Sequence, residues 1–385
     1  MATSYYIPTV NLIGEGALED AAEHINRLGH KKAMIVTGKT LHGKLKLTSH
    51  VTKMLDGIGI EYVIFDGVQP NPTIDNVEKG LAAYKASGCD FMVSFGGGSN
   101  HDCAKSIGMV AVGGGSIRDY EGLNKCEKGI TPLVAINTTS GTGSECTQFS
   151  IITDPERRTK MVILDHRATP ALSINDPALH EHMPPELTAA TGMDALTHAV
   201  EAVVALMANP ISDCTAFQAI NLVFKHLPAA VENGHDKDAR EHMIYAQFLA
   251  ACAFNSAGLG FVHGMAHQLG GFYDLPHGVC NAILLPRVQA YNAEDEATAK
   301  RLAGIAQYMG KNVVGLSTSE ASDKAIEAIY ELSAKVGIPT GLKELGVKEK
   351  DLPTLVENTL KDPCCLANPR PATAEGVMSI FQNAM

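Results

Sequence analysis

The sequence changes character near Pro184, and this change constrains the fold more than any other feature. Before it, short apolar runs typical of strands alternate with segments of helical spacing such as 74–84; the runs lie at 31–37, 61–66, 90–95, 131–137, 160–165 and 171–176. After it, apolar residues recur at three- and four-residue spacing, as in 186–206 and 238–254, and strand-like runs nearly vanish. The pattern predicts an α/β N-terminal domain with a mostly parallel sheet, followed by an all-α domain.

The chain length supports the same division. A single core stops growing well below the 385 residues of this chain, so two domains are expected, here 1–182 and 183–385. The segment M-P-P-E-L-T at 183–188 predicts the first helix of the second domain, because proline is favoured at a helix start. The strands of the first half are continuously apolar rather than alternating, which indicates a sheet covered on both faces.

Charge and cysteine usage exclude several classes of protein. The net charge is −11 and the basic residues are dispersed, which argues against a nucleic-acid partner. The first ten residues lack the features of a secretory signal, and no apolar run approaches 18 residues, so no membrane association is expected. Nine cysteines without a C-x-x-C motif favour a reducing compartment. We expect a cytoplasmic protein.

Two glycine-bearing loops follow predicted strands. F-G-G-G-S-N-H-D at 95–102 precedes a segment of helical spacing, and N-T-T-S-G-T-G-S-E at 137–145 follows a later strand. Glycine lets a backbone approach a ligand closely, and a helix N-terminus favours phosphate. Because loops at the carboxyl ends of parallel strands converge, both loops are expected to line one nucleotide site. The alternative is a tight turn between strand and helix.

A third glycine-bearing stretch only resembles a phosphate loop. G-K-T-L-H-G-K-L at 38–45 matches G-x-x-x-x-G-K, but Leu45 stands where Ser or Thr would reach magnesium. We interpret it as a surface loop with two solvated lysines.

Histidines and one aspartate recur at helical spacing in the second half. Asp194 and His198 are four residues apart, as are His263 and His267, and His277 follows in L-P-H-G. Each four-residue pair lies on one helix face, where it can hold a metal or a buried hydrogen bond. Asp194, His198 and two of the three other histidines would complete a four-ligand Asp/His₃ site.

The two halves together suggest a chemistry. A phosphate-binding α/β domain beside a metal-bearing helical domain suggests that a nucleotide cofactor meets a metal-bound substrate in the cleft between them. A zinc protease is disfavoured, because the Glu of H-E-x-x-H is replaced by Gly264.

At this level of detail the sequence resembles a known family. It is similar to the iron-dependent (group III) alcohol dehydrogenases, which include lactaldehyde reductase, 1,3-propanediol dehydrogenase and the NAD-dependent methanol dehydrogenases. The resemblance spans essentially the whole chain; its motifs are Y-I-P-T-V-N-L-I-G-E-G-A-L (6–18), P-N-P-T (70–73), G-G-G-S-N-H-D-C-A-K (96–105), A-I-N-T-T-S-G-T-G-S-E (135–145), M-P-P-E-L-T-A-A-T-G-M-D-A-L-T-H-A (183–199), G-M-A-H-Q-L-G-G-F-Y-D-L-P-H-G-V-C-N-A-I-L-L-P (264–286) and N-P-R (368–370).

The resemblance implies roles for individual residues. The four metal ligands would be Asp194, His198, His263 and His277, and His267 would move the alcohol proton to solvent. The implied dinucleotide contacts are Asn71, Gly97, Gly98, Ser99, Asp102, Thr138, Thr139, Thr142, Thr147, Lys160 and Leu179, with Gly97 to Ser99 at the pyrophosphate. The implied substrate pocket contains Phe149, Phe254 and Cys364.

One position departs from many NAD-using relatives. They carry an aspartate after the first strand that binds the adenosine ribose and would repel a 2′-phosphate, whereas here Gly38 occupies that position and Lys39 follows. NAD is the expected cofactor, and NADP stays open, alone or as a second cofactor.

The implied reaction is NAD(P)-linked oxidation of a small primary alcohol or diol, or reduction of the aldehyde. The metal would polarise the alcohol oxygen, and hydride would pass to nicotinamide C4. Iron(II) is favoured by the resemblance alone, since the ligand set also suits zinc or another divalent metal. A homodimer or larger homo-oligomer is implied. The alternatives are a metallohydrolase, an NAD-using lyase related to dehydroquinate synthase, and a non-catalytic metal-binding protein.

Overall fold

The computed structural model describes residues 4–8 and 10–385. Residues 1–3 of the predicted first domain and Thr9 of the motif at 6–18 therefore lie outside the described residues. The chain forms two compact units. One contains residues 6–139 and 143–182, and the other contains residues 4–5, 140–142 and 183–385.

The first unit is built on a parallel sheet. The strands of the described chain are β1 (Val10–Ile13), β2 (Lys32–Gly38), β3 (Glu61–Val68), β4 (Phe91–Gly96), β5 (Gly122–Leu123), β6 (Leu133–Asn137), β7 (Phe149–Asp154), β8 (Thr159–Leu164) and β9 (Leu172–Asn175). Six of these form a parallel sheet in the order β1-β9-β6-β4-β2-β3. The other three form a smaller sheet in the order β5-β8-β7, in which β7 and β8 are antiparallel. The prediction of a mostly parallel sheet is confirmed, although the run at 160–165 belongs to the smaller sheet.

Both faces of the parallel sheet are covered. Met34 and Val36 of β2 pack into one apolar cluster, and Ala33 and Ile35 of the same strand pack into a second cluster. Successive side chains of a strand point to opposite faces, so two cores require continuously apolar strands. The helices of this unit are α1 (Ala17–Arg27), α2 (Thr48–Gly57), α3 (Ile74–Ser87) and α4 (Gly98–Gly113).

The carboxyl ends of neighbouring parallel strands lie at one edge of the sheet. Gly96 at the end of β4 is paired with Asn137 at the end of β6, which is paired in turn with Asn175 at the end of β9. The glycine-bearing loops that follow β4 and β6 therefore leave the sheet side by side. This edge is where open α/β sheets bind their ligands.

The second unit is helical. Its helices are α5 (Pro185–Val204), α6 (Pro210–Glu232), α7 (Lys237–Ala257), α8 (Phe261–Tyr273), α9 (His277–Asn292), α10 (Glu296–Tyr308), α11 (Thr318–Lys335), α12 (Leu352–Thr359) and α13 (Ala374–Ala384). Helix α5 begins at Pro185, within the segment that predicts its start. Among the described residues no strand follows Asn175, so the all-helical prediction is confirmed.

Among the described residues, no single helix has the length and apolar character needed to cross a membrane. Helices α7 and α8 reach that standard only when taken together, and the pair is bent by 103°.

Candidate active site

Three predicted ligands converge within the helical unit. One ligand atom from each of Asp194, His263 and His277 lies within 4.8 Å of the other two. Asp194 Oδ1 is 3.8 Å from His263 Nε2 and 3.6 Å from His277 Nε2. Two ligands of one tetrahedral metal, with bonds of about 2.0–2.2 Å, lie roughly 3.3 Å apart. The observed separations are close to those of ligands on one ion.

Asn281 stands at the point of convergence. It lies one turn after His277 on α9, and its Nδ2 is 2.6 Å from Asp194 Oδ1, 3.2 Å from His263 Nε2 and 3.1 Å from His277 Nε2. Its Oδ1 is buried and has no hydrogen-bond partner among the described residues. A carboxylate and two imidazoles whose lone pairs point at one position are a donor set that suits Fe(II) or Zn(II). The residues present therefore fit a divalent metal.

His198 lies directly against this group. Its ring stacks on that of His263, with centroids 4.5 Å apart, and its Nδ1 has no hydrogen-bond partner among the described residues. Burial lowers the pKa of His198 to about 4, so the ring is neutral at neutral pH. A metal ligand must be neutral imidazole, which this burial favours. His198 is nevertheless not one of the three residues whose ligand atoms already lie within 4.8 Å of one another.

A carboxylate that the sequence analysis missed orients His263. Glu201 lies on α5 and is almost completely buried; its Oε2 is 2.6 Å from His263 Nδ1, and its Oε1 accepts the Val262 N–H at 2.8 Å. With Nδ1–H donated to Glu201, Nε2 keeps its lone pair for a metal. Burial raises the pKa of Glu201 to about 7. The signal was present, since Asp194, His198 and Glu201 follow helical spacing.

His267 has its own carboxylate partner. Its Nδ1 is 2.9 Å from Asp362 Oδ2, and both side chains are buried. Asp362 also accepts the Cys364 N–H at 2.9 Å and the Gln268 side-chain amide at 3.2 Å. The His267 ring stacks on His277, with centroids 5.5 Å apart and planes 15° apart. His267 therefore lies beside a predicted ligand with its Nε2 free of the Asp362 contact.

Two of the three predicted pocket residues lie beside these histidines. Phe254 stacks on His198 with ring centroids 4.3 Å apart, and Cys364 is buried next to Asp362 and His267. Burial raises the pKa of the Cys364 thiol well above its ordinary value. Phe149 begins β7 in the α/β unit.

Gly264 explains why the helix cannot carry a zinc-protease motif. A Cβ at this position would lie 2.5 Å from Cys365 Sγ, so the close packing of α8 on the 363–367 segment leaves no room for glutamate. The rejection of that motif from the sequence is consistent with this packing.

The first glycine loop of the α/β unit is packed too closely for side chains. Gly97 precedes α4, and a Cβ there would lie 2.8 Å from the side chain of Thr139 in the second loop. Gly96 has a φ of +147°, and its Cβ would lie 2.2 Å from Asn100 Oδ1. Thr138 donates its N–H to the Gly96 carbonyl at 3.0 Å. The two loops thus form one continuous surface at the N-terminus of α4.

A buried lysine that the sequence analysis missed organises the second loop. Lys105 Nζ donates to Ser144 Oγ at 3.0 Å, to the Thr147 carbonyl at 2.8 Å and to the Phe149 carbonyl at 2.7 Å. Ser144 Oγ in turn donates to Asp102 Oδ1 at 2.6 Å. Burial lowers the pKa of Lys105 to about 8 and raises that of Asp102. Lys105 therefore ties α4 to the segment that carries the predicted contact Thr147.

The remaining predicted cofactor contacts lie in the α/β unit, except for one in the segment 140–142. Gly38 ends β2, where a Cβ would lie 2.9 Å from the Val68 carbonyl oxygen, and Asn71 follows β3 with a φ of +51°. Gly98 and Ser99 begin α4, Leu179 follows β9, Lys160 lies on β8, and Thr142 belongs to the segment 140–142 grouped with the helical unit.

Comparison with known proteins identifies the family. Residues 8–177 match the family model of the iron-containing alcohol dehydrogenases, and residues 188–385 match the model of the C-terminal part of the Fe-containing alcohol dehydrogenase family. The chain belongs to the iron-containing alcohol dehydrogenase family. It is accordingly an oxidoreductase, and the resemblance stated from its motifs is confirmed.

Individual relatives match over nearly their whole length. The chain is 49% identical to alcohol dehydrogenase 4 of Schizosaccharomyces pombe, over 100% of this chain and 89% of that protein. It is 46% identical to the NAD-dependent methanol dehydrogenase of Bacillus methanolicus, over 100% of both chains. The crystal structure of a 1,3-propanediol oxidoreductase superposes with a TM-score of 0.96 at 47% identity, covering 100% of both chains. These matches support a dehydrogenase over a metallohydrolase or a lyase.

Proposed function

We propose that the protein is a metal-dependent, NAD-linked alcohol dehydrogenase that interconverts a short primary alcohol or diol and its aldehyde. The observation that carries the proposal is the convergence of Asp194, His263 and His277, with His198 stacked against them, in a chain of this family. We assign the four as metal ligands, and we assign the helical domain 183–385 to metal binding and the α/β domain 1–182 to the dinucleotide.

The chain's own residues prepare the alcohol for hydride loss. A bound divalent metal would supply Lewis-acid polarisation of the alcohol oxygen. Glu201 holds His263 in the tautomer that directs its Nε2 lone pair to the ligand group. Asp362 does the same for His267, because a Nδ1–H donated to Asp362 leaves Nε2 able to accept a proton. We propose that His267 Nε2 takes the hydroxyl proton and passes it toward solvent.

The glycine loops would hold the dinucleotide. Gly97, Gly98 and Ser99 precede or begin α4, where backbone N–H groups and the positive helix end favour a pyrophosphate. The close packing of Gly97 on Thr139 supports a surface on which a ligand meets backbone rather than side chains. We propose Asn71, Asp102, Thr138, Thr139, Thr142, Thr147, Lys160 and Leu179 as the further contacts of this cofactor.

The choice of nicotinamide cofactor turns on Gly38. An acid at this position would bind the adenosine ribose and repel a 2′-phosphate, and glycine does neither. We propose NAD as the main cofactor, as the name of the Bacillus methanolicus relative states for that enzyme, with NADP accepted as well because no carboxylate repels it at Gly38.

The substrate is proposed from the relatives' names and from the side chains near the ligands. Methanol and 1,3-propanediol stand in the names of two relatives. In this chain Phe254 and Cys364 are apolar neighbours of His198 and His267, respectively, and we propose that they and Phe149 contact a short carbon chain. Iron(II) is the proposed metal, with zinc as the competitor that the donor set also accepts.

The experiment that tests this function follows the hydride. The protein, reconstituted anaerobically with Fe(II), receives 1,3-propanediol deuterated at C1 and C3, with NAD or NADP in separate samples. We expect deuterium at nicotinamide C4 by NMR with NAD, and at a lower rate with NADP. Absence of deuterium transfer with both cofactors, also with deuterated methanol and 1-propanol, would contradict the proposal.

Location and assembly remain predictions. None of the nine cysteines forms a disulfide in the described chain, which is consistent with the cytoplasmic location that we propose. We also propose a homodimer or larger homo-oligomer, which sedimentation of the purified protein would test.

A further inference from the structure

A lysine near the middle of α4 holds its charge inside the α/β unit. Lys105 is completely buried, and its Nζ donates to Ser144 Oγ at 3.0 Å. It also donates to the carbonyl oxygens of Thr147 at 2.8 Å and Phe149 at 2.7 Å. An ammonium group has three hydrogens, so these three bonds use all of them. A charge is tolerated in a protein interior when it is hydrogen-bonded and paired in this way.

Ser144 connects this ammonium to a carboxylate. Its Oγ lies 3.0 Å from Lys105 Nζ and 2.6 Å from Asp102 Oδ1. Because an ammonium group can only donate, Ser144 Oγ is the acceptor in the bond with Lys105. The single hydroxyl hydrogen of Ser144 is therefore directed at Asp102. Lys105 thus determines the direction of a hydrogen bond that the Asp102 carboxylate receives.

The charges of Lys105 and Asp102 stabilise each other. Burial raises the pKa of Asp102, and the Lys105 ammonium opposes this change by stabilising the carboxylate. Burial lowers the pKa of Lys105 to about 8, and the negative charge of Asp102 opposes that change. At neutral pH Lys105 is therefore mainly protonated, and the hydrogen bond from Ser144 favours the ionised form of Asp102.

The position of Asp102 suits a contact with the dinucleotide. It lies one turn after Gly98 on α4, on the same helix face as this proposed pyrophosphate contact. Unlike Lys105, Asp102 is only half-buried. A carboxylate accepts hydrogen bonds at roughly four positions, and the Ser144 hydroxyl and the Ile151 N–H use two of them. The remaining positions can accept hydroxyl groups of a ligand.

We propose that Lys105 is a positioning residue of the dinucleotide site, which acts through Ser144 to hold the Asp102 carboxylate where it accepts hydrogen bonds from ribose hydroxyl groups of the cofactor. This inference rests on the proposed function, in which Asp102 contacts the dinucleotide. Lys105 is enclosed by protein, so its effect reaches the cofactor through Ser144 and Asp102. The group that is recognised belongs to the cofactor, so the effect is expected on cofactor binding.

The test measures the dissociation constant for NAD by calorimetry on the Fe(II)-loaded protein. Ser144→Ala should raise this constant roughly tenfold, because Asp102 loses a hydrogen bond that holds its charged group in place. The KM for NAD should rise as well, while kcat at saturating NAD stays within about twofold of wild type, because the lost interaction serves binding alone. Lys105→Met removes the ammonium and should raise the dissociation constant at least as much as Ser144→Ala does.

A double-mutant cycle separates this role from a general effect on the fold. In Asp102→Ala the carboxylate is gone, so adding Ser144→Ala should change the dissociation constant for NAD by less than about twofold. Ser106→Ala is the matched control. The Ser106 hydroxyl is also buried on α4 and lies 2.8 Å from Ser150 Oγ, which donates to the backbone carbonyl of Asp102 rather than to its carboxylate. Ser106→Ala should bind NAD like wild type.

Three results would overturn the role of Lys105. The first is NAD binding of wild-type strength in Ser144→Ala or in a folded Lys105→Met. The second is a set of independent effects of Ser144→Ala and Asp102→Ala in the double variant. The third is an equal loss of affinity in Ser106→Ala, which would indicate loosening of the whole segment. Wild type that binds no NAD would instead contradict the proposed function, and this inference with it.

Discussion

At the scale of single residues, two buried carboxylates determine which nitrogen of a histidine is available. Glu201 contacts His263 Nδ1, and Asp362 contacts His267 Nδ1. In both histidines Nε2 is left as the nitrogen with a lone pair. The proposed ligand group and the proposed proton relay therefore depend on two carboxylates to which we assign neither metal binding nor proton transfer.

The role of Glu201 predicts a loss of metal affinity. Glu201→Gln keeps the shape of the side chain but removes the charge that stabilises the His263 Nδ1–H, so metal affinity should fall roughly 10- to 100-fold. A chelator competition, read by atomic absorption, measures this change. Glu186→Gln on the exposed face of α5 is the matched control, and equal affinities in the two variants would refute the role of Glu201.

The role of His267 predicts a loss of turnover without a loss of metal. His267→Asn should retain the active-site metal and lower kcat roughly 100-fold or more, because the proton acceptor is gone. Asp362→Asn should lower kcat by a smaller factor, because only the ring's tautomer is disturbed. Steady-state kinetics across pH and metal analysis of both variants check this prediction. A His267→Asn enzyme with the wild-type pH–rate profile would disprove the relay.

The residues of the site differ in how far the sequence can reveal them. Asp194 and His198, or His263 and His267, are recognisable because a four-residue spacing brings ligands together within one helix. The contacts of Glu201 with α8 and of Asp362 with His267 span 61 to 95 residues of chain. Such contacts depend on how helices pack, which spacing along one helix does not contain.

At the scale of elements, the junction of β4 and α4 is built for close contact between loops. Gly97→Ala would bring a methyl group to 2.8 Å from Thr139, which costs on the order of 1–3 kcal/mol and displaces the loop. The dissociation constant for NAD should therefore rise roughly tenfold, as measured by calorimetry. Gly43→Ala is the control, because a Cβ there meets nothing within 4 Å. Unchanged NAD binding by Gly97→Ala would remove this loop from the cofactor site.

Helix α4 also carries a buried histidine that makes stability depend on pH. Ser94 Oγ lies 2.7 Å from His101 Nδ1, and burial lowers the pKa of His101 from 6.5 to about 3. Between these values the unfolded chain binds a proton that the folded chain does not, so stability falls as pH falls, by up to about 1.4 kcal/mol per pH unit. Above pH 6.5 this penalty is absent.

Urea unfolding at pH 7, 6 and 5 measures that dependence. His101→Gln should show a shallower loss of unfolding free energy toward pH 5 than wild type, whereas the exposed His50→Gln should follow wild type. Parallel pH dependences in His101→Gln and wild type would contradict a neutral buried His101.

The elements that the sequence did not reveal are short or amphipathic. Strand β5 has 2 residues, β1 has 4 half-buried residues, and β7 alternates half-buried and buried positions instead of forming one apolar run. Fully buried strands such as β4 and the long helices α5 and α7 were predictable, because their apolar patterns are continuous or periodic.

At the scale of the whole molecule, we propose that the two halves supply different parts of one reaction. The parallel sheet presents glycine loops suited to a dinucleotide, and the helical unit gathers a carboxylate and imidazoles suited to a divalent metal. Hydride transfer requires the nicotinamide and the alcohol to meet, so neither half is expected to be active alone. Membership of the iron-containing alcohol dehydrogenase family supports this proposal, in which one domain binds the dinucleotide and the other binds the metal.

The most direct test of this account is the anaerobic rise in absorbance at 340 nm on adding 1,3-propanediol and NAD to the Fe(II)-loaded protein, compared between wild type and Asp194→Ala. The account predicts steady NADH formation by wild type and by the Glu186→Ala control, and none by a correctly folded Asp194→Ala. Equal NADH formation by Asp194→Ala and wild type would contradict it, because the reaction would then proceed without the proposed metal centre.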